Sequence, residues 1–368
     1  MTGQELLMAG LRGEQTPQMP FAARIDLWYN YNQHHGSLPE KYSGMTMIEI
    51  GKRLGIPLQS RLFSVVIEHF EGVEVRTTQH PPYVTTEYIT PVGTLKKTLL
   101  YAQHEGPWIA YEHEKLFKSP EDYAPLNYLM THTMPRSNEN AYDTARTEVG
   151  SDGLVVTGVG LWSPAQRVMR EIMGYQTFFY ELMDRPARVE ELIESVSNLE
   201  RRKYRLALDS DLEVFNVCAN WSDDIHTPIF SRFMAPWFSE ITALLHDHGR
   251  LAMAHVDGEN RRLVPLMRET DIDIWEAWTP APMTRLSNIQ FRSSVHPESV
   301  IWGGLPSTLF EPTCSESEFN EYVINSLLGE VGHTGRFIIG MGDNLPFDGI
   351  IDRVARVPEL VDSFYHNR

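Results

Sequence analysis

From about residue 213 onward the chain alternates between two kinds of segment, and this alternation restricts the possible folds more than any other feature. Short, continuous apolar runs recur: EVFNVCA (213–219), RLAMAH (250–255), DIDIWEAW (271–278), SVIWGG (299–304) and GRFIIGMG (335–342). Each is followed by a longer segment of helical character. These segments are PIFSRFMAPWFSEITALLHDHG (228–249), ENRRLVPLMRET (259–270), a polar stretch from Thr284, SESEFNEYVINSLLGEV (315–331) and DGIIDRVARVPELVDSFYHN (348–367). A strand apolar on both faces must be covered on both faces, the condition of a parallel strand flanked by crossover helices. The regular βα repeat therefore predicts an α/β fold with a parallel sheet, open or closed into a barrel.

The first half is less regular. VVTGVGLW (155–162) reads as a further strand, and SPAQRVMREIMG (163–174) and YELMDRPARVEELIESVSNLERRKYRLALDS (180–210) read as helical. Between residues 61 and 112, alternating polar and apolar residues with many β-branched side chains predict a small antiparallel β insertion. FKSPEDYAPLNYLMTH (117–132) carries a Ser-Pro-Glu-Asp helix start. No low-complexity linker or internal repeat interrupts the chain, so residues 1–368 are expected to form a single domain.

Composition removes several functional classes. The net charge of −17 leaves no clustered basic face, which argues against nucleic acid or an anionic membrane as partner. Two cysteines, Cys218 and Cys314, cannot build a disulfide framework or a Cys-rich zinc site. Cys218 sits inside an apolar run and reads as core. No run approaches the ~20 apolar residues of a membrane span. The N-terminus has no cationic start followed by an apolar stretch, so the expectation is a cytoplasmic protein.

In parallel α/β proteins functional side chains gather where strands end. At those ends stand Asn220, Asp223 and Asp224, then His255 and Asp257, then Glu276, Gly303 and Gly304, and finally Asp343 and Asn344. Each has an ordinary structural reading as a turn or cap; their coincidence at separate strand ends predicts one pocket. Glu276, between two tryptophans, stands out because a buried carboxylate needs a partner charge, a metal or a proton. His255, Asp257, Glu276 and Asp343 together offer one nitrogen and several oxygens. That set suits a divalent ion with an open position. It suits a metal-free acid–base pocket equally. No nucleophile elbow, Walker loop or dinucleotide fingerprint is present.

PFAARIDLWYNYNQHHGSLPEKYSG (20–44) concentrates arginine, aromatics and amides. Arg24 could read a carboxylate, and Asp26, Trp28, Tyr29 and Asn30 could line a planar ligand. Asn220 and Trp278 complete the expected substrate-binding set. The competing reading is a helix with its aromatic face in the core and Arg24 paired to Asp26 or another acid.

Several of these stretches match one family. FAARIDLWYNYNQHHGSLP, YELMDRPARVEELIESV, TPIFSRFMAPWFSEITALLHDHGRLAMAHVDGENRRLVPLM, DIDIWEAWTPAP and GRFIIGMGDNLPFDGIIDRVARV resemble the uroporphyrinogen decarboxylase superfamily over most of the chain. The resemblance implies a (β/α)8 TIM barrel, here with an N-terminal extension and the β insertion. It also implies one of two chemistries: cofactor-free decarboxylation, or methyl transfer involving a corrinoid and zinc.

The decarboxylases carry an Arg-rich segment near the N-terminus. The corresponding stretch here has the single Arg24, a poor match to a porphyrinogen's many carboxylates. In the thiol-activating methyltransferases zinc is bound by a His-x-Cys pair and a later Cys. His255 falls on the histidine, Asp257 on the first cysteine and Asp343 on the second. Carboxylates in place of thiolates make a harder site, better suited to an ether oxygen than to a thiol.

The resemblance thus implies a corrinoid-dependent methyltransferase of the O-demethylase type. It would move methyl from a small methoxylated, aromatic substrate to a corrinoid held by a separate corrinoid-binding protein. Zn²⁺ or another divalent ion would be held by His255, Asp257, Glu276 and Asp343, the first three also catalytic. The alternative is a metal-free decarboxylase or lyase of a carboxylate substrate, with Asp257 or Glu276 as proton donor and Arg24 as clamp. A non-catalytic binding role is the third class. The family likeness also suggests a homodimer.

Overall fold

A computed structural model describes residues 2–62, 64–102, 106 and 109–366. Within the insertion foreseen at 61–112, Phe63 and residues 103–105 and 107–108 lie outside the described residues. The strands in chain order are β1 (Leu58–Leu62), β2 (Val66–Phe70), β3 (Glu74–His80), β4 (Tyr83–Thr90), β5 (Gly93–Tyr101), β6 (Ala110–Glu114) and β7 (Thr133–Ser137). They continue with β8 (Gly153–Thr157), β9 (Val214–Cys218), β10 (Leu251–His255), β11 (Ile274–Trp278), β12 (Val300–Pro306) and β13 (Phe337–Gly342). The chain packs as two compact units: Met1–Phe63 with Asn140–Gly158 and Leu212–Arg368, and Ser64–Glu139 with Val159–Asp211.

The first unit is the βα repeat. Its sheet is wholly parallel and runs β1-β8-β9-β10-β11-β12-β13. Seven regular strands form, where the family resemblance implied eight. The edge strands are each met by the segment at 21–23, through single bridges pairing Phe21 with Ile339 and Ala23 with Leu58. Backbone bonds support the first bridge: Ala22 N–H donates to Ile339 O at 3.0 Å, and Ile339 N–H to Pro20 O at 2.7 Å. Pro20 has no N–H to give, so this short segment does not extend into a ladder. The foreseen helix at 259–270 contracts to Val264–Met267, whereas 348–367 forms most of its length as Asp352–His366.

Strand parity builds the interior of this unit. Leu154, Val156, Val214, Met253, Ile274, Val300, Trp302 and Ile338 meet in one core cluster with Ala22. Leu7, Met8 and Leu11 join it from the helix Gly3–Leu11, which a Thr2–Glu5 capping box starts. Burying each such side chain is worth about 1.5–3 kcal/mol, so the helix is held by its apolar face. Side chains two positions along a strand share a face. His255 and Glu276 therefore lie above Met253 and Ile274, and the register pairs Met253 with Ile274 and His255 with Glu276. The polar site grows out of an apolar floor.

The second unit holds the antiparallel part, a β3-β4-β5-β6 sheet and a separate β2–β7 pair. The run foreseen as helical over 180–210 divides into Tyr175–Asp184 and Pro186–Ala207, because Pro186 at the helix start carries no N–H. Inside this unit lies an ion cluster. Arg167 Nη1 meets Glu200 Oε1 at 2.5 Å and Glu68 Oε1 at 3.2 Å; Lys203 Nζ meets Glu68 at 3.0 Å and Glu200 at 3.1 Å. Burial raises the Glu68 carboxyl, but Arg167 and Lys203 outweigh it and bring its pKa down to about 2. No helix among the described residues is long and apolar enough to cross a membrane.

Candidate functional site at the strand ends

The C-terminal ends of the parallel strands bring His255, Asp257, Glu276 and Asp343 together. His255 is buried, and its Nδ1 lies 2.6 Å from Glu276 Oε2. Its other nitrogen, Nε2, faces Asp257 Oδ2 at 3.6 Å and Asp343 Oδ1 at 3.5 Å. Glu276 is 1 % exposed and accepts a second bond, from Gln59 Nε2 to Oε1 at 3.1 Å. A carboxylate acting only as acceptor fixes the proton of His255 on Nδ1 and turns Nε2 toward Asp257 and Asp343.

One ligand atom each from His255, Asp257 and Asp343 lies within 4.8 Å of the others. Glu276, expected as a fourth ligand, stands outside this group; its oxygens hold His255 and Gln59 instead. It is the orienting carboxylate behind the imidazole.

Arg24 approaches from the 21–25 segment. Its Nη1 is bonded to Asp343 Oδ1, and Nη2 meets Asp26 Oδ2 at 3.3 Å. Burial works against the charged guanidinium, yet Asp343, Asp26 and Glu276 more than offset it and hold its pKa above the ordinary value. Arg24 is a permanent cation here. Four carboxylates (Asp26, Asp257, Glu276 and Asp343) thus surround one guanidinium and one imidazole.

The remaining candidates fall elsewhere. Trp28 packs edge-on against Tyr42 at 6.4 Å, and Tyr29 donates from its hydroxyl to Met45 O at 3.2 Å. Asn30 is exposed on the helix Asp26–His35. The aromatic face of that helix is core, and Arg24 pairs with Asp26, as the plainer sequence reading has it. Asn220 adopts a left-handed φ of 54° and gives its N–H to His255 O at 3.0 Å, so it shapes the exit of the strand. Asp223 is likewise structural, accepting from the N–H groups of Arg262 and Leu263.

Trp278 turns away from the mouth. Parity would put it on the face of Glu276, but Ala277 takes a left-handed φ of 57° and the ladder shifts register there. The Trp278 ring stacks on Phe291 at 3.6 Å, and its Nε1–H donates to Asn288 at 3.1 Å. Cys218 is buried, as expected, with the Trp221 indole N–H 2.6 Å from its sulfur.

Two glycines allow the acids to be where they are. A Cβ on Gly342 would collide with Thr279 Oγ1, and one on Gly258 with the carbonyl oxygen of Trp221. The residues after Asp257 and before Asp343 therefore pass closer to neighbouring chain than any side chain permits.

Gln59 escaped the sequence reading. Its strand, LQSRL, is too polar to look like the other parallel strands. No local signal marked it, because the polar run Gln59-Ser60-Arg61 stands where a buried parallel strand would be apolar.

Residues 98–364 match the sequence model of a family described as uroporphyrinogen decarboxylase (URO-D). The chain belongs to this family. The match takes in His255, Asp257, Glu276 and Asp343 but begins after Arg24 and Gln59. Among solved structures a methyltransferase from Methanosarcina mazei is similar, with a TM-score of 0.59 at 14 % identity over 99 % of each chain. At that identity the likeness bears on the family fold. No curated protein sequence matches the chain.

Proposed function

We propose that this family member is a methyltransferase that takes the methyl group of a small methoxylated, aromatic substrate and passes it to a corrinoid on a separate protein. A divalent ion, zinc first, would be held by His255, Asp257 and Asp343, on a (β/α)8 frame in which the 21–23 segment stands for the eighth strand. The observation that carries this reading is the convergence of His255 Nε2 with two carboxylates while Glu276 holds the opposite nitrogen.

The donor set fits such an ion. One imidazole nitrogen and two carboxylates suit a borderline or hard divalent cation, and the negative surplus around His255 calls for positive charge. When bound, the ion would act as a Lewis acid toward an ether oxygen, drawing charge from the leaving group. The chain's own residues do the positioning. Glu276 and Gln59 lock the imidazole ring, and the Gly258 and Gly342 passages set Asp257 and Asp343. The apolar floor around Met253 and Ile274 keeps water from below.

Arg24 has a second task in this reading. Its Nε is buried without a hydrogen-bond partner among the described residues. An orphan donor of this kind is costly unless something meets it, and a substrate oxygen would. Arg24→Ala is expected to raise KM about tenfold or more, a larger effect than the fall in melting temperature from leaving Asp26 and Asp343 without their cation. An unchanged KM would assign Arg24 to structure alone.

The ion pair between Arg24 and Asp343 also favours a second reading. With that acid already neutralised by a guanidinium, the pocket could work without metal, Arg24 clamping a substrate carboxylate and Asp257 delivering a proton in a decarboxylation. Elemental analysis of the purified protein, followed by an assay with cob(I)alamin and methoxylated aromatics, separates the two. About one ion per chain together with methyl transfer supports the first; a metal-free protein that releases carbon dioxide from an acid replaces it with the second.

A further inference from the structure

The second unit holds a half-open cavity of about 570 Å³, within the usual range for small-molecule sites. Its walls combine polar and apolar surface in similar measure: Phe70 and Tyr88 meet edge-to-face at 5.4 Å, and Leu99, Met130 and Trp162 continue the apolar part. Three acids reach it, and all three are engaged. Glu68 is held by Arg167 and Lys203, and Glu112 by Lys115. Glu171 is held by Arg167 at 3.4 Å and by the Trp162 indole N–H at 2.7 Å.

The cations do not balance in the same way. Arg167 is used on the acids, but Lys97 and Arg170 also line the cavity, and neither has a carboxylate partner among the described residues. The strand register sets Lys97 opposite Thr86, not an acid. Arg170 Cζ stands over the Trp162 ring at 4.0 Å, a cation–π contact that does not use the guanidinium's N–H donors on an acid.

We infer that this cavity is a binding site for a small aromatic anion, a ring bearing a carboxylate, sulfonate or phosphate. The ring would lie among Phe70, Tyr88 and Trp162, with the anionic group between Lys97 and Arg170. Satisfied acids in the lining and two cations without a carboxylate partner beside aromatic side chains are the complement of such a molecule. All of the lining residues belong to the second unit, so the site is separate from the His255 cluster in composition.

The test uses the full chain and three probes: 8-anilinonaphthalene-1-sulfonate, its uncharged analogue N-phenyl-1-naphthylamine, and sulfate. The sulfonate probe is expected to brighten at one saturable site per chain. The double variant Lys97→Met/Arg170→Gln should weaken it about tenfold or more while changing the uncharged probe less than about twofold. Sulfate alone should compete poorly, because it lacks the ring. Arg24→Gln should leave the sulfonate affinity unchanged. Lys97→Met alone, expected to weaken the probe severalfold, replaces the double variant should that one fail to fold. Unchanged sulfonate binding in the Lys97 variants would overturn the proposal, as would equal loss of the uncharged probe or a loss caused by Arg24→Gln.

Discussion

Alanine at His255 is expected to lower turnover by roughly 10³-fold or more without unfolding the protein. The size follows from what the imidazole connects. Nδ1 is fastened to Glu276 at 2.6 Å, and Nε2 faces both Asp257 and Asp343. With the ring gone, two acids remain with no neutral donor between them, whether they serve an ion or a proton transfer. The structural penalty is smaller. Glu276 keeps its bond from Gln59, and losing one buried hydrogen bond costs about 1–3 kcal/mol, below the stability of an ordinary domain. Turnover of a methoxylated aromatic, circular dichroism and a melting curve on the same preparation check both halves. Retained turnover in a folded variant would place the chemistry elsewhere.

Substitution of Glu276 separates charge from hydrogen bonding. Glu276→Gln keeps the shape of the side chain and can still accept from His255 through its one oxygen. Its NH2 meets Gln59, whose amide must turn to accept, so melting should fall by less than in Glu276→Leu. Glu276→Gln also removes the negative charge behind the imidazole, and the affinity for Zn²⁺ should fall about 10–100-fold. Glu276→Leu removes the acceptor for both His255 and Gln59 in a buried setting and should cost about 2–4 kcal/mol of stability besides. Zinc titration and thermal melts of the two variants side by side give the answer. Equal zinc affinity in wild type and Glu276→Gln would make Glu276 a purely structural residue.

Much of the first unit was legible because its signals are local. A continuous apolar run between helical segments has few alternatives to a buried parallel strand, and β9 to β13 formed within a few residues of the runs that announced them. The same logic put His255, Asp257, Glu276 and Asp343 at one rim, since residues that end parallel strands share an edge of the sheet. β1 was not legible: Gln59 and Ser60 hide a strand whose burial comes from β8 and the segment at 21–23. The second unit was foreseen as the hairpins within 61–112 and as helical segments at 117–132, 163–174 and 180–210, and helices form in all three. What was not legible is the ion cluster, because it draws Glu68 from one strand onto Arg167 and Lys203, 99 and 135 positions away.

Sequence order by itself determined the α/β class, the direction of the sheet and the identity of the acids at its rim, because strand period and helix period are properties of neighbouring residues. The tertiary structure alone decided what each of them does. It set Glu276 behind His255 rather than beside it, turned Trp278 outward through Ala277, and laid Arg24 on Asp343. Those outcomes depend on register, on a single left-handed residue and on which distant charge fills a desolvated space. None of these is encoded in the spacing of one segment.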